Sequence, residues 1–388
     1  MTRRDFCLSA PALAALPSFA AADDHGILVT PAQAAKLRPL ANDAVRQNAA
    51  AALKSGPWSV TNHRPPDVTA GPNDYYSEGP YWWPDPKNPK GPYIRKDGER
   101  NPARFMGNRT DLGNMCSAVL ALGMGAYLLG DKDCGAHAAR VLSVWFIDPK
   151  TRMNPNLEYG QAVRGVNEGR GTGLIDTVAM IYTVLGAWLL EQAEMLDPAI
   201  GKGVRQWFTE FTKWMTTSPK GLDEKKSGNN HSTWWTAQVA AYATFTGDET
   251  TQKMAWDWYR TFLVPTEIHP DGSCPREEAR TDSLSYSAMN LDAFSVVCRI
   301  AEVNGVNLWR YRTPQGIDVQ KSFRYLTPYI LHPETWKKPQ LAKFNPEGTF
   351  FQGFAGLGLG DEALLAAYKS MSRNRSPWLQ FIDLAVRA

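Results

Sequence analysis

The spacing of apolar residues from about residue 108 to the C-terminus constrains this chain more than any other feature. Val204, Trp207, Phe208, Phe211 and Trp214 recur at intervals of three or four, which puts them on one face of an α-helix. The same periodicity predicts helices over 112–129, 136–146, 174–196, 200–216, 232–245, 250–262, 282–303, 319–330, 362–371 and 377–386. Asp197-Pro198 is a helix start with the aspartate as N-cap, and Gly130-Asp131 and Gly247-Asp248 separate neighbouring helices. Connections this short make successive helices antiparallel. Strand signals are few, the best being 349–354. An open solenoid would show a repeat of fixed period, and none is present. The pattern predicts an all-α chain in a closed or partly closed ring of helix hairpins, an (α/α) toroid, as a single domain over 23–388.

The N-terminal part reads differently. Residues 31–54 predict a helix closed by Gly56-Pro57. Residues 57–107 are rich in Pro, Gly and aromatics without periodicity, densest from Asp74 to Pro86. A loop this long in a compact protein is functional or ordered by packing. Its aromatics argue against disorder. Residues 1–22 pair a charged start containing Arg3-Arg4 with a short Ala-rich apolar stretch, a twin-arginine-like signal peptide. The expected destination is periplasmic or secreted, and no later segment reads as apolar enough to span a bilayer.

Removing two arginines and one aspartate with the signal takes the net charge from +3 to +2. That balance does not suit a nucleic-acid partner, and an anionic substrate needs a local basic cleft. Cys116, Cys134, Cys274 and Cys298 contain no C-x-x-C pair, which argues against a structural zinc site. Export permits disulfides in any of three pairings, and isolated buried thiols are the favoured reading. Six histidines without ligand spacing give no metal site, and no cofactor is expected. Oligomeric state is not legible.

Candidate chemistry gathers in Asn229-Asn230-His231-Ser232-Thr233-Trp234-Trp235, with Arg280 and Tyr286 downstream. An amide, an imidazole, a guanidinium and a phenol are what a proton abstraction beside a carboxylate requires. The carboxylate must be neutralised so that it can accept charge. One group must take the proton and another must protonate the leaving oxygen. Arg280 suits the first task because it can grip a carboxylate bidentately. Its charge is also expected to lower the pKa of Tyr286. A six-residue gap does not align two side chains on one helix, so Arg280 is expected on a loop before the helix of Tyr286.

These residues resemble the alginate-lyase-like polysaccharide lyases, which cleave uronic-acid polymers by β-elimination. Asn230-His231 matches the family's Asn-His pair, with Ser232 and Trp234 matching its downstream setting. Pro275-Arg276-Glu277-Glu278-Ala279-Arg280 looks like the segment ending in the family's arginine. Tyr286 follows six residues later, one fewer than in the best-known alginate lyases, as in a more distant branch with glucuronan-active members. The resemblance implies the toroid fold and a β-1,4-linked mannuronate or glucuronate polymer as substrate. It implies Tyr286 as the main proton donor and a candidate base, His231 as alternative base or positioning group, and Asn230 and Arg280 as carboxylate neutralisers. Asn167 and Arg170 in the Asn-Glu-Gly-Arg-Gly run, with Asn229, Trp234, Arg276, Tyr81 and Trp82, are expected substrate contacts. Lys225 and Lys226 could add positive potential, and Glu224 could orient a neighbour. Two other readings stand beside it. One is a toroid hydrolase with carboxylates among Glu277, Glu278 and Asp282, which leaves the Asn-His, Arg and Tyr set unexplained. The other is a non-catalytic glycan-binding protein, which shares the aromatics and Arg but requires no Tyr-His pair.

Overall fold

The computed structural model describes residues 26–373 and 375–388. The signal segment expected over residues 1–22 lies outside the described residues. Two short helices come first, α1 Pro31–Leu37 and α2 Asp43–Ala52. They replace the single helix expected over 31–54. Pro39 has no N–H to continue α1, and the Asn42 side chain caps α2 by accepting from the N–H groups of Ala44 and Val45.

The aromatic loop that follows carries three short strands, β1 Tyr76–Glu78, β2 Trp82–Trp83 and β3 Ile94–Arg95. β2 and β3 pair antiparallel, while β1 pairs in parallel with β4, Tyr159–Ala162. Strands this short hold too few side chains for alternation to be readable in sequence.

The ring is built from α3 Gly107–Leu129, α4 Lys132–Leu142, α5 Met180–Gln192, α6 Pro198–Thr217, α7 Pro219–Lys225, α8 Asn230–Thr246 and α9 Glu249–Trp258. The short helices α10 Val264–Glu267 and α11 Pro275–Glu278 lead into α12 Ser283–Val303. It ends with α13 Val319–Leu331, α14 Phe351–Leu359, α15 Glu362–Ser370 and α16 Pro377–Arg387. Asp197 caps α6 as expected, accepting from Ala199 and Ile200, and Gly130 and Gly247 close α3 and α8 in the left-handed conformation.

Two expectations fail here. The helix predicted over 174–196 is a 3₁₀ segment over 171–177 followed by α5, because Asp176 turns its buried carboxylate onto Tyr75, Ser77 and Gln161. The strand expected over 349–354 is the start of α14, where Phe350, Phe351 and Phe354 are all buried at helical spacing.

Helices α3, α5, α8, α12 and α14 pack each on the next, and α16 packs on both α14 and α3, which closes the ring. α4 lies outside α3, α6 and α9 outside α8, α13 outside α12, and α15 outside α14. This is the expected (α/α) toroid. On α6, Trp207, Phe208 and Phe211 are buried against Phe146 and Tyr242. Each contributes roughly 2–3 kcal/mol of burial.

The inner helices are covered on every side, which makes them apolar all round. Contrary to expectation, α3 and the 171–192 span are each long and apolar enough to cross a membrane. They are nonetheless 72% and 78% buried inside the protein, which accounts for their composition. α3 and α5 touch backbone to backbone. A Cβ on Gly123 would lie 2.5 Å from the Gly186 carbonyl oxygen. The four cysteines among the described residues are free and buried, the favoured of the two expectations.

Candidate active site

The starts of α8 and α12 and the segments leading into α3 and α5 gather at one end of the ring. Asn229 caps α8, its Oδ1 accepting from the His231 N–H at 3.2 Å. That places His231 in the first turn, with a side chain 18% exposed. The His231 Nδ1 lies 2.6 Å from Oε1 of Glu224, the buried penultimate residue of α7. Burial disfavours the charged imidazole, but the Glu224 carboxylate, its hydrogen bond and Glu277 outweigh that effect. The His231 pKa is raised above its ordinary value.

Asn230 is fully buried. Its backbone N–H donates to Glu277 at 2.5 Å, and its Nδ2 donates to both Glu277 oxygens at 2.9 Å. The amide expected to face a substrate carboxylate is committed to the protein in this state. Its Oδ1 is buried without a partner among the described residues.

Arg280 sits on the turn between α11 and α12, and its N–H donates to the Glu277 carbonyl at 3.0 Å. Tyr286 follows in the first turn of α12. The expected loop-then-helix arrangement holds, and it stacks the guanidinium 3.8 Å from the centre of the Tyr286 ring.

The aromatic loop closes over both groups. The Tyr81 and Tyr286 hydroxyls are hydrogen-bonded. The Asp97 carboxylate takes two bonds from Arg280, at 3.1 and 3.2 Å, and one from the Thr281 hydroxyl at 3.1 Å. Gly98 turns the chain there with φ +79°, and a Cβ on it would lie 2.5 Å from Thr281 Oγ1.

The loop sets the electrostatics of the site. Burial, followed by the hydrogen bond to Tyr81, pushes the Tyr286 phenol well above its ordinary pKa, against the opposing pull of Arg280. The lowering expected from Arg280 is therefore outweighed in this closed state. Burial also works against the Asp97 carboxylate. The bonds and charge of Arg280 and Arg95 overcome it and hold Asp97 below the usual carboxylate value.

A second group lies under the same loop. Arg170 donates from Nε to the Gln161 carbonyl at 2.9 Å and from Nη2 to the Gln161 Oε1 at 3.0 Å. Its guanidinium stands 5.7 Å from the Trp82 ring. Burial, then repulsion from Arg95, lowers the Arg170 pKa. Gln161 has φ +48°, a left-handed conformation that costs on the order of 1 kcal/mol or more outside glycine. It is held there by Ser77, which accepts from its N–H at 2.8 Å, and by Asp176 at 3.2 Å.

The other expected contacts are placed differently. Trp234 is buried one turn further along α8, with its indole N–H unpartnered among the described residues. Arg276 points outward and donates to the Ser227 carbonyl at 2.8 Å. Asn167 forms a backbone bridge with Val163. Lys225 is seated on Trp235 and Trp258, and Lys226 is exposed. The carboxylates a hydrolase would need are engaged: Glu277 with Asn230, Glu278 with Lys338, and Asp282 with the Ala342 N–H.

Asp97, Gln161 and Asp176 were not singled out as site residues from sequence, and Glu277 entered only as a candidate hydrolase carboxylate rather than as the partner of Asn230. For Asp97 the only signal was the Asp-Gly turn pair. A cavity of about 750 Å³, lined in part by Asn42, Tyr368, Arg373 and Asp383, touches none of the candidate residues. The candidate site itself is covered by Tyr81 and Asp97.

A family model described as Alginate lyase matches residues 59–336. Among solved structures, the chain is similar to an alginate lyase from Bacteroides ovatus, with 33% identity and a TM-score of 0.85 over 90% of this chain and 96% of that one. It is also similar to alginate lyase A1-III from Sphingomonas species A1, with 15% identity and a TM-score of 0.57 over 86% of this chain and 92% of that one. A variant of A1-III complexed with a tetrasaccharide matches with 15% identity and a TM-score of 0.55, over 81% of this chain and 82% of that one. At that identity the likeness to A1-III shows the fold. No curated protein matches the chain.

Proposed function

This chain belongs to the alginate lyase family and is a polysaccharide lyase, and on that premise we propose that it cleaves β-1,4-linked polymannuronate or glucuronan by β-elimination. The observation that carries the proposal is Asp97. A carboxylate gripped by Arg280, beside the Tyr286 ring and under Tyr81, stands in for the uronate carboxylate of a bound polymer.

In the reaction we assign, Arg280 holds the substrate carboxylate and stabilises charge that spreads onto it as C5 loses its proton. His231 Nε2, the ring nitrogen not engaged by Glu224, takes that proton. The electron pair of the C5–H bond forms the C4=C5 double bond, and the C4–O bond breaks. Tyr286, whose raised pKa keeps it a neutral phenol near neutral pH, protonates the departing oxygen. Asn230 is held on Glu277 in the closed state, so the neutralising role falls to Arg280. Arg170 with Trp82 supplies a basic and an aromatic surface for a neighbouring sugar, and Asn229 and Tyr81 line the approach.

Mannuronate and glucuronate share their configuration at C4 and C5, so one proton-transfer geometry serves both; guluronate is inverted at C5. The twin-arginine-like segment, together with a polymeric substrate, supports a periplasmic or secreted enzyme. The test is ultraviolet absorbance of the unsaturated product on polymannuronate, polyguluronate and glucuronan. Product from polymannuronate or glucuronan supports the proposal. Product from polyguluronate alone refutes the substrate assignment.

A further inference from the structure

Two buried acids stand behind the Asn-His pair. Glu277 is bonded to Asn230. Glu224, 1% exposed, is bonded to His231 at 2.6 Å. A carboxylate this deeply buried is costly to keep unless it is paired.

The partnership is built by local structure. Ser218 caps α7, its side chain accepting from the Gly221 N–H at 3.0 Å, and Glu224 lies in the last turn of that helix. The chain then turns through Ser227 and Gly228. The Ser227 hydroxyl donates to the Glu224 carbonyl at 2.7 Å, and the Gly228 N–H donates to the Ser232 hydroxyl at 2.7 Å. The end of α7 and the first turn of α8 are thus tied together, and Glu224 meets His231 at Nδ1.

We propose that Glu224 is a positioning residue: its carboxylate holds the proton of His231 on Nδ1, orients the ring, and leaves Nε2 as a strengthened proton acceptor facing the Arg280–Tyr286 side of the site. A carboxylate that accepts from Nδ1–H selects one of the two neutral tautomers and stabilises the imidazolium that forms when Nε2 takes a proton. Without it, the ring is free to turn or to place its proton on Nε2, where it cannot act as a base.

The charged groups facing His231 are Glu224 from α7, Glu277 from α11 and Arg280 from the turn before α12. Glu224 in turn faces Asp223 and Arg170. Arg280 opposes the imidazolium and the two acids favour it, with Glu224 making the direct contact. This inference rests on the assignment of His231 as base for the rate measurements, but not for the spectroscopic one.

The first experiment is titration of the histidine ring nitrogens of the exported wild-type enzyme by ¹⁵N NMR, with His231→Ala used only to identify the signals. The expected result is a His231 ring protonated on Nδ1 throughout, with Nε2 titrating at a midpoint above the ordinary value of about 6.5. A neutral ring protonated on Nε2, or a midpoint at or below that value, overturns the proposal.

The second experiment is Glu224→Gln, which keeps the volume and removes the charge. The midpoint is expected to fall by about one unit. The acid limb of kcat/KM should move to lower pH by the same amount, because a base works only when neutral. kcat should fall about tenfold or more with KM little changed. A lower kcat with an unmoved limb would show a merely structural role and overturn the proposal. If Glu224→Gln does not fold, the wild-type titration still decides. If no uronate polymer yields product, the proposed function fails while the titration still tests Glu224.

Discussion

Asp97→Asn isolates the consequence of the closed loop. If Arg280 binds the substrate carboxylate, Asp97 must leave it first, so the wild-type enzyme carries an internal competitor. The pair is forked, with bonds at 3.1 and 3.2 Å and side chains 17% and 25% exposed. A partly exposed pair of this kind is worth about 1 kcal/mol. At 1.4 kcal/mol per tenfold, that corresponds to roughly a fivefold change in apparent affinity. The Asn variant should therefore show a KM about fivefold lower, with kcat changed less, in initial rates of unsaturated-product formation. Because Arg280 and Arg95 hold the Asp97 pKa below its ordinary value, its pairing is fully present above that value. It is lost as pH falls through the lowered pKa. The gap between wild type and variant should be full at neutral pH and close in acid. An unchanged or higher KM would refute the reasoning, because Asp97 would then be helping to bind polymer.

Further outcomes follow from the same geometry. Arg280→Lys keeps the charge and loses the forked grip and the ring stacking, so kcat/KM should fall by about two orders of magnitude, about 2.7 kcal/mol; a loss below threefold would remove Arg280 from the carboxylate site. Gly123→Ala places a methyl 2.5 Å from the Gly186 carbonyl oxygen and should cost about 1–3 kcal/mol by prising α3 from α5, seen as a lower thermal midpoint. An unchanged midpoint would contradict the backbone contact. Replacing Arg3 and Arg4 together by lysine should leave precursor in the cytoplasm of an exporting host, whereas unchanged export would point to the general secretory route.

Much of the toroid was legible because periodicity records burial. Trp207, Phe208 and Phe211 declare one face of α6 however the ring closes. The Arg280-then-Tyr286 arrangement was legible from helix geometry alone. Other features depend on partners distant in sequence. Asp97 reaches Arg280 across 183 residues, from a stretch whose strands are too short to show a pattern. Asp176 breaks the helix expected over 174–196 because of donors as far away as Tyr75, and local propensity carries no trace of them. Trp234 reads as part of the site motif, yet only the first turn of α8 reaches the end of the ring. One turn further along, the helix is enclosed, and Trp234 belongs to the core.

The central claim is elimination at the Arg280–Tyr286 end of the ring, and product analysis with and without the Tyr286 hydroxyl tests it most directly. Wild-type enzyme should turn polymannuronate or glucuronan into oligomers that carry the ultraviolet absorbance of a C4=C5 double bond. Tyr286→Phe should abolish that product while still binding polymer. New reducing ends without absorbance, or full absorbance from Tyr286→Phe, would contradict the account.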